Sequence, residues 1–277
     1  MKKTYLLSVL TLLMISCVTP VYAGWPIGKY RHIFTPSFTY YTSKNQWDRQ
    51  GQKVDGGSGT RFNAYSIGLF GGVGISRRAD LLASVTLTGQ SSTIGGEKLP
   101  SVTGLGDATL GLSYNLVHWK YKRFLSIQGT VIAPLYTVKT TGNTFGYGVL
   151  GAEGKLMYSG QLVGLSYINL EGGFRRYFDD KGPNQIVYSL TIGSPLDSRK
   201  KNQISADIGG VSSKSANETL TPVNPNLVYD GYYIKGSINY GHKFTNKVSL
   251  FGSAFTTLAG RNAAQGSGFA LFGIYKF

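Results

Sequence analysis

Three histidines, His32, His118 and His242, and one glycine-rich run, GLGDATLGLSYNL at 104–116, are the residues of this 277-residue chain whose types most readily do chemistry. A histidine beside a serine makes a nucleophile and base for hydrolysis, and three histidines together can hold zinc. Gly104, Gly106 and Gly111 have the composition of a loop whose backbone amides cradle phosphate. Each reading demands particular elements around it. A dinucleotide fingerprint needs a helix after its glycines and a crossover unit, yet another strand-like segment follows here and no helical period appears nearby. Read by twos, the same letters alternate: Ala108, Leu110, Leu112, Tyr114 and Leu116 against Asp107, Thr109, Gly111, Ser113 and Asn115. That is the period of a strand with one apolar face.

The amino-terminal residues predict export. Lys2 and Lys3 form a basic region, an apolar stretch runs from Tyr5 to Val18, and Val21 and Ala23 occupy the −3 and −1 positions of a signal-peptidase site. Cleavage after Ala23 makes 1–23 a removed signal peptide and starts the mature chain at Gly24. Cys17, preceded by Met14, Ile15 and Ser16, is the alternative, a lipoprotein site. If Ala23 is the site, Cys17 leaves with the signal and neither a disulfide nor a thiolate metal site remains. Beyond the signal there is no apolar run long enough for a transmembrane helix.

Glycine is abundant, 38 of 277, as are tyrosine (19) and phenylalanine (14), while mean hydropathy is −0.07. This suits strands that are apolar on one side and polar on the other. The chain closes with GFALFGIYKF. Tyr275 and the terminal Phe277 have the pattern that serves outer-membrane barrels as a folding signal.

Alternating runs predict strands near 31–42, 62–76, 79–91, 105–119, 123–138, 147–158, 161–177, 184–195, 202–212, 230–243, 247–258 and 267–277. Twelve is an even number, as single-chain bacterial barrels require. Short connections at 77–80, 120–122, 159–161, 197–201 and 245–247 interleave with longer ones at 43–61, 92–104, 139–146, 178–183, 213–229 and 259–266. In such barrels short turns face the periplasm and longer loops face outward. The fold expected is therefore all-β: a transmembrane antiparallel up-and-down β-barrel of about twelve strands over 24–277, in the outer membrane of a Gram-negative cell. Its lipid face is apolar because backbone groups must pair between strands and charge at mid-depth is costly. Leu125, Ile127, Val131 and Leu135, and Ile186, Tyr188, Leu190 and Ile192, point outward on this phase.

Net charge is +15, or +13 without the two signal lysines. Much of it falls in the short turns: Arg77, Arg78, Lys120, Lys122, Arg123, Arg199, Lys200, Lys201, Lys243 and Lys247. Solvated turns near phospholipid headgroups account for this; a funnel for anions is the other reading, and nucleic acid is not expected as a partner of an exported barrel. The lumen face is expected to carry Asp107, Glu153, Lys155, Glu171, Arg175, Asp207 and Lys235, mixed signs that pair in a low-dielectric interior. It also carries Phe70, Tyr167, Tyr233, Phe251, Phe255 and Phe272. So much aromatic surface suits a packed core or an apolar wall for a greasy solute more than a water-filled porin. In the last two strands both faces are apolar, so their phase stays open.

An outer-membrane phospholipase would need its Ser–His pair near the outward ends of the strands, whereas all three histidines fall near the periplasmic ends. A barrel protease of the omptin kind would need histidine in the outward loops, which contain none. No enzyme, cofactor or metal is expected.

GLGDATLGLSYNL, FTYYTSKNQWDRQGQKVDGG and FNAYSIGLFGGVGISRRADLLASV, with the terminal strand, resemble the meta-pathway phenol-degradation family of outer-membrane barrels over nearly the whole mature chain. The resemblance implies a porin-like role in uptake of hydrophobic or aromatic compounds. Only GWPIGKY (24–30) precedes the first strand, far shorter than the plug of the long-chain fatty-acid channel to which that family is compared. Two functions follow as expectations: a passive channel for small hydrophobic or aromatic solutes, or a closed structural barrel with adhesive outer loops. Expected partners are outer-membrane lipid and lipopolysaccharide, the barrel-assembly machinery and a small hydrophobic solute.

Overall fold

The computed structural model describes residues 25–137, 145–179, 182–215 and 230–277. The expected signal segment, with Cys17 and Ala23, lies outside these residues, as does most of the expected 213–229 loop. The described chain is all-β, with strands β1 (His32–Trp47), β2 (Lys53–Asp55), β3 (Arg61–Gly74), β4 (Ala79–Ile94), β5 (Glu97–Lys98), β6 (Val102–Leu105), β7 (Asp107–Trp119), β8 (Arg123–Pro134), β9 (Gly151–Gln161), β10 (Tyr167–Tyr177), β11 (Asn184–Pro195), β12 (Asn202–Lys214), β13 (Gly231–Lys243), β14 (Val248–Arg261) and β15 (Ala263–Lys276). Twelve of these are staves. Each long strand pairs antiparallel with the next, β4 pairs with β7, and β15 returns to β1, so the sheet closes. β2 folds back to pair antiparallel with the end of β1, while β5 and β6 lie against β4. The seam runs from Ile33 opposite Lys276 to Trp47 opposite Ala263. It is finished by the His32 amide donating to the Phe277 carbonyl at 2.8 Å. Closure leaves no unpaired edge, the condition for standing in lipid.

The exterior is the apolar face. Leu110 and Leu112 are more than half exposed, whereas Asp107, Ser113 and Asn115, their alternating neighbours, are buried. Such a continuous apolar surface on a closed barrel is a lipid-facing belt. In β14 and β15 the open phase is now decided: Phe251, Phe255 and Ile274 are buried inside, and Phe269 and Leu271 are exposed outside. A bulge between Asn115 and Val117 shifts the register at the foot of β7, which leaves Leu116 and Val117 both exposed.

Glycine and aromatic richness turn out to be one feature. A Cβ at Gly241 would overlap the ring of Phe251, one at Gly193 the ring of Tyr167, and one at Gly266 the ring of Tyr41. On the outer surface Tyr65 covers Gly89 and Tyr188 covers Gly210 in the same way. Rings lying flat over glycines of adjacent strands keep both surfaces continuous where a glycine has relaxed the strand.

Some boundaries differ from the alternation. The expected strand 105–119 is two pieces. Val102–Leu105 pairs with β4, and Gly106 then bonds the Thr86 carbonyl at 2.7 Å before β7 begins. The turn expected at 159–161 lies at 162–166, so β9 runs to Gln161 and β10 starts at Tyr167. The expected loop 259–266 is strand throughout, apart from Asn262. Asn262 takes a φ of 48°, a conformation asparagine tolerates; the small residues around it carry no alternating signal.

Candidate functional site

The interior encloses a cavity of about 280 Å³ whose wall draws on both the charged and the aromatic residues of the lumen face. On one side β9 and β10 bring Glu153, Lys155, Glu171 and Arg175 together, because in-facing residues recur every second position; the register sets Arg175 against Glu153 and Gly173 against Lys155, which leaves Lys155 diagonal to Glu171. Glu153 accepts from Arg175 Nη2 at 2.6 Å and is 3.1 Å from Lys155 Nζ, which also reaches Glu171 at 3.4 Å. Arg175 Nη1 donates to Gln185 at 3.3 Å, and the Gln185 amide donates to the hydroxyls of Tyr147 and Ser213 at 3.2 and 3.3 Å. Two acids and two bases cancel. This wall is polar and ordered, with no net charge.

The facing wall carries the aromatic residues, with Lys235 and Asp207 among them. Phe70, Phe255, Phe272 and Ala270 line the cavity there, and Lys235 lies with its ammonium 4.7 Å from the centroid of Phe255. A cation over a ring is attracted by its quadrupole. Asp207 accepts from Ser237 at 2.9 Å and from the side chain of Asn239.

Both ends are capped by side chains. Toward the long loops, Tyr41, Phe62, Val187, Val211, Tyr233 and Phe255 form one buried cluster, and Tyr147 packs with Tyr177 and Ile132 beside it. Toward the short turns, Ile33, Phe251 and Ile274 pack with Ile27, Phe70 and Phe272. Residues 25–31 run back into this mouth. Trp25 Nε1 donates to Asn169 Oδ1 at 3.1 Å, its ring lies 5.0 Å from that of Phe124, and the Ile27 amide donates to Asp80 Oδ2 at 3.1 Å. Trp25, Ile27 and Asp80 therefore belong to the cavity wall. None of the three is among the lumen residues that the alternation predicts. Trp25 and Ile27 lie in the brief GWPIGKY stretch, and Asp80 falls where the short connection 77–80 meets the strand expected at 79–91. The in-phase position of Asp80 in DLLAS, two residues before Leu82, was the available signal.

Of the sequence-derived lumen residues, Phe70, Glu153, Lys155, Glu171, Arg175, Asp207, Tyr233, Lys235, Phe255 and Phe272 line this cavity. Asp107 lines a smaller one of about 60 Å³ beside Phe145. Its carboxylate accepts the Tyr136 hydroxyl, and that hydroxyl in turn accepts the Gly148 amide at 3.1 Å, so Asp107 ties the connection after β8 to the mouth. Burial, with the Asp107 carboxylate beside it, pushes the Tyr136 phenol well above its ordinary pKa. Tyr167 and Phe251 point inward but off the cavity wall: Tyr167 covers Gly193, and Phe251 stacks on Phe272 at 5.0 Å. Tyr275 and Phe277 stack on each other at 5.1 Å on the outer surface.

The histidines sit at the short-turn rim. His32 stacks on Phe277 and His118 on Tyr121, while His242 Nδ1 is 2.7 Å from Asn202 Oδ1. Among the described residues no group of three His, Cys, Asp or Glu side chains is placed to hold a metal.

No protein-family model and no curated protein matches the sequence. Solved structures do match. An outer-membrane channel from Pseudomonas putida F1 aligns with a TM-score of 0.74 at 16% identity, covering 94% of this chain and all of its own. The fold is that of an outer-membrane β-barrel. The translocator domain of the autotransporter NalP from Neisseria meningitidis aligns at 0.54 with 10% identity, covering 90% of this chain and 89% of its own. The β domain of the Bordetella autotransporter BrkA aligns at 0.54 with 13% identity, over 90% of this chain and 100% of its own. At such identities the likeness is one of fold.

Proposed function

We propose that this barrel is a passive outer-membrane channel for small hydrophobic or aromatic solutes. One observation carries the reading: the lumen holds a chamber with an aromatic wall facing a polar wall whose charges neutralise one another. The lining charges nearly balance, Asp80, Glu153, Glu171 and Asp207 against Lys155, Arg175 and Lys235, so the chamber offers an ion no strong field of one sign. Phe70, Phe255 and Phe272 offer rings against which a flat apolar solute gains contact area. The solute enters from outside, rests in the chamber and leaves down its gradient, which calls for no cofactor. Entry requires the cluster around Tyr41 and Tyr233 to part, and passage toward the periplasm requires the segment 25–31 to give way, since Trp25 and Ile27 stand in the short-turn mouth. The resemblance to the meta-pathway phenol-degradation family supports the aromatic solute class, and the same fold serves a channel in Pseudomonas putida.

Two measurements on the same protein test this. Planar-bilayer recordings of the purified barrel should show discrete openings, and a strain lacking the protein should take up a monoaromatic solute more slowly than the complemented strain. No openings together with unchanged uptake eliminates the channel and returns the closed structural barrel.

A further inference from the structure

The short-turn rim carries most of the protein's unbalanced charge. Arg77 and Arg78 lie in the β3–β4 turn, Lys120 and Lys122 in the β7–β8 turn, and Arg199 to Lys201 in the β11–β12 turn. Lys247 continues the series in the β13–β14 turn. Among the described residues no ion pair involves these side chains; the ion pairs lie in the lumen and at Arg261 with Asp230. The one acid of these turns, Asp197, is engaged by its own backbone, accepting from the amides of Lys201 and Asn202 at 3.0 and 2.6 Å. The long-loop end differs, for Asp48, Asp55, Glu97, Asp179 and Asp230 are set among its cations.

The cations also have a constant companion. Each basic turn presents a large apolar side chain beside them, Ile75, Tyr121, Leu196 and Phe244, all at least half exposed. The fifth short turn, 162–166, is apolar instead, with Val163 91% exposed and Leu162 and Leu165 nearly half exposed. Apolar groups followed at once by cations at four of the five short turns, with apolar groups alone at the fifth, match the layering of a leaflet: acyl chain, then headgroup phosphate. A soluble acidic partner would need one contiguous patch, whereas a leaflet surrounds the barrel on every side.

We propose that the short-turn rim is a collar that binds anionic phospholipid headgroups of the surrounding leaflet. The apolar side chains set the depth and the flanking arginines and lysines take the phosphates, an arrangement independent of any solute in the lumen. Arginine suits it, since its guanidinium forks match phosphate oxygens two at a time.

The full barrel, reconstituted in phosphatidylcholine vesicles, is probed with spin-labelled phosphatidylglycerol and spin-labelled phosphatidylcholine. The expected result is a preference for the anionic lipid of about fivefold at low salt, falling toward unity at high salt. Substituting Arg77, Arg78, Arg199, Lys200 and Lys201 together by Gln should abolish the preference while the heat-dependent gel shift of the folded barrel persists. The pair Arg77→Gln and Arg78→Gln alone should lower it part-way, which keeps the test decisive if the larger variant does not fold. Lys53→Gln with Lys98→Gln, at the other end, should leave it unchanged. Equal association of both lipids with the unaltered protein, or a preference that survives the rim substitutions, overturns the proposal. Equal association combined with salt-sensitive binding of polyglutamate to the detergent-solubilised barrel assigns the rim to an acidic protein partner instead.

Discussion

Glu153 stands between Arg175 and Lys155 with its side chain 5% exposed, and at this scale what matters is that no buried charge is left alone. Removing one member of a buried pair leaves its partner desolvated, whereas replacing both is far milder. Arg175→Met should therefore lower stability by about 3 kcal/mol. The double variant Arg175→Met with Glu153→Leu should recover a large part of that, as read from urea unfolding in detergent or lipid. Equal losses for the single and double variants would show that the pair is not coupled. At the rim, backbone amides from Lys201 and Asn202 hold the Asp197 carboxyl below the ordinary carboxylate range. A depressed folded pKa contributes stability that is complete at neutral pH and fades as the pH falls below about 4, through the folded value. Asp197→Asn should flatten that acid-side slope, and an unchanged slope would remove Asp197 from the account.

Among the elements, the strands and the segment 25–31 do different work. The staves hold their faces by pairing rings with glycines. Gly241→Ala would push against the ring of Phe251, a case of overpacking that costs about 1–3 kcal/mol and that a shifted unfolding midpoint would reveal. The segment 25–31 is held at its start by Trp25 to Asn169 and Ile27 to Asp80, and at its end by backbone bonds of Tyr30 and Arg31 with Gly74. Trp25→Ala should raise single-channel conductance, and deleting 25–30 should raise it further with no loss of the folded band on unheated gels. Conductance that ignores both changes would mean that the narrow point lies elsewhere, at the aromatic cluster around Tyr41 and Tyr233. Strand existence and strand faces were legible in β7, β8 and β11 because polar and apolar residues alternate over most of their length, with Val117, Ile132 and Val187 as the exceptions. The limits of β9 and β10 were not, since Leu162, Val163 and Leu165 in the turn continue the apolar run and mimic a strand.

For the molecule as a whole, the decisive property is closure. With β15 joined to β1, every interior position faces a bounded volume and every exterior one within the apolar belt faces lipid. Leu112→Arg, mid-belt, should cost about 2–4 kcal/mol and impair membrane assembly, read as loss of the heat-modifiable band. Tolerance of an arginine there would mean that this face does not meet acyl chains.

The periodicity of two, the even number of staves and the apolar outer face were all determined by the sequence, because side-chain alternation is a local property of each strand and lipid penalises any departure from it. The register, and with it the meeting of Glu153 with Arg175, was decided only in three dimensions, since pairing depends on the neighbouring strand. So was the phase of β14 and β15, where both faces are apolar and only the ring of Phe251 over Gly241 and against Phe272 shows which side is inside. The return of Trp25 into the barrel was likewise invisible in the chain: a tryptophan before a strand has no preferred direction until a cavity, Asn169 and Phe124 are there to receive it.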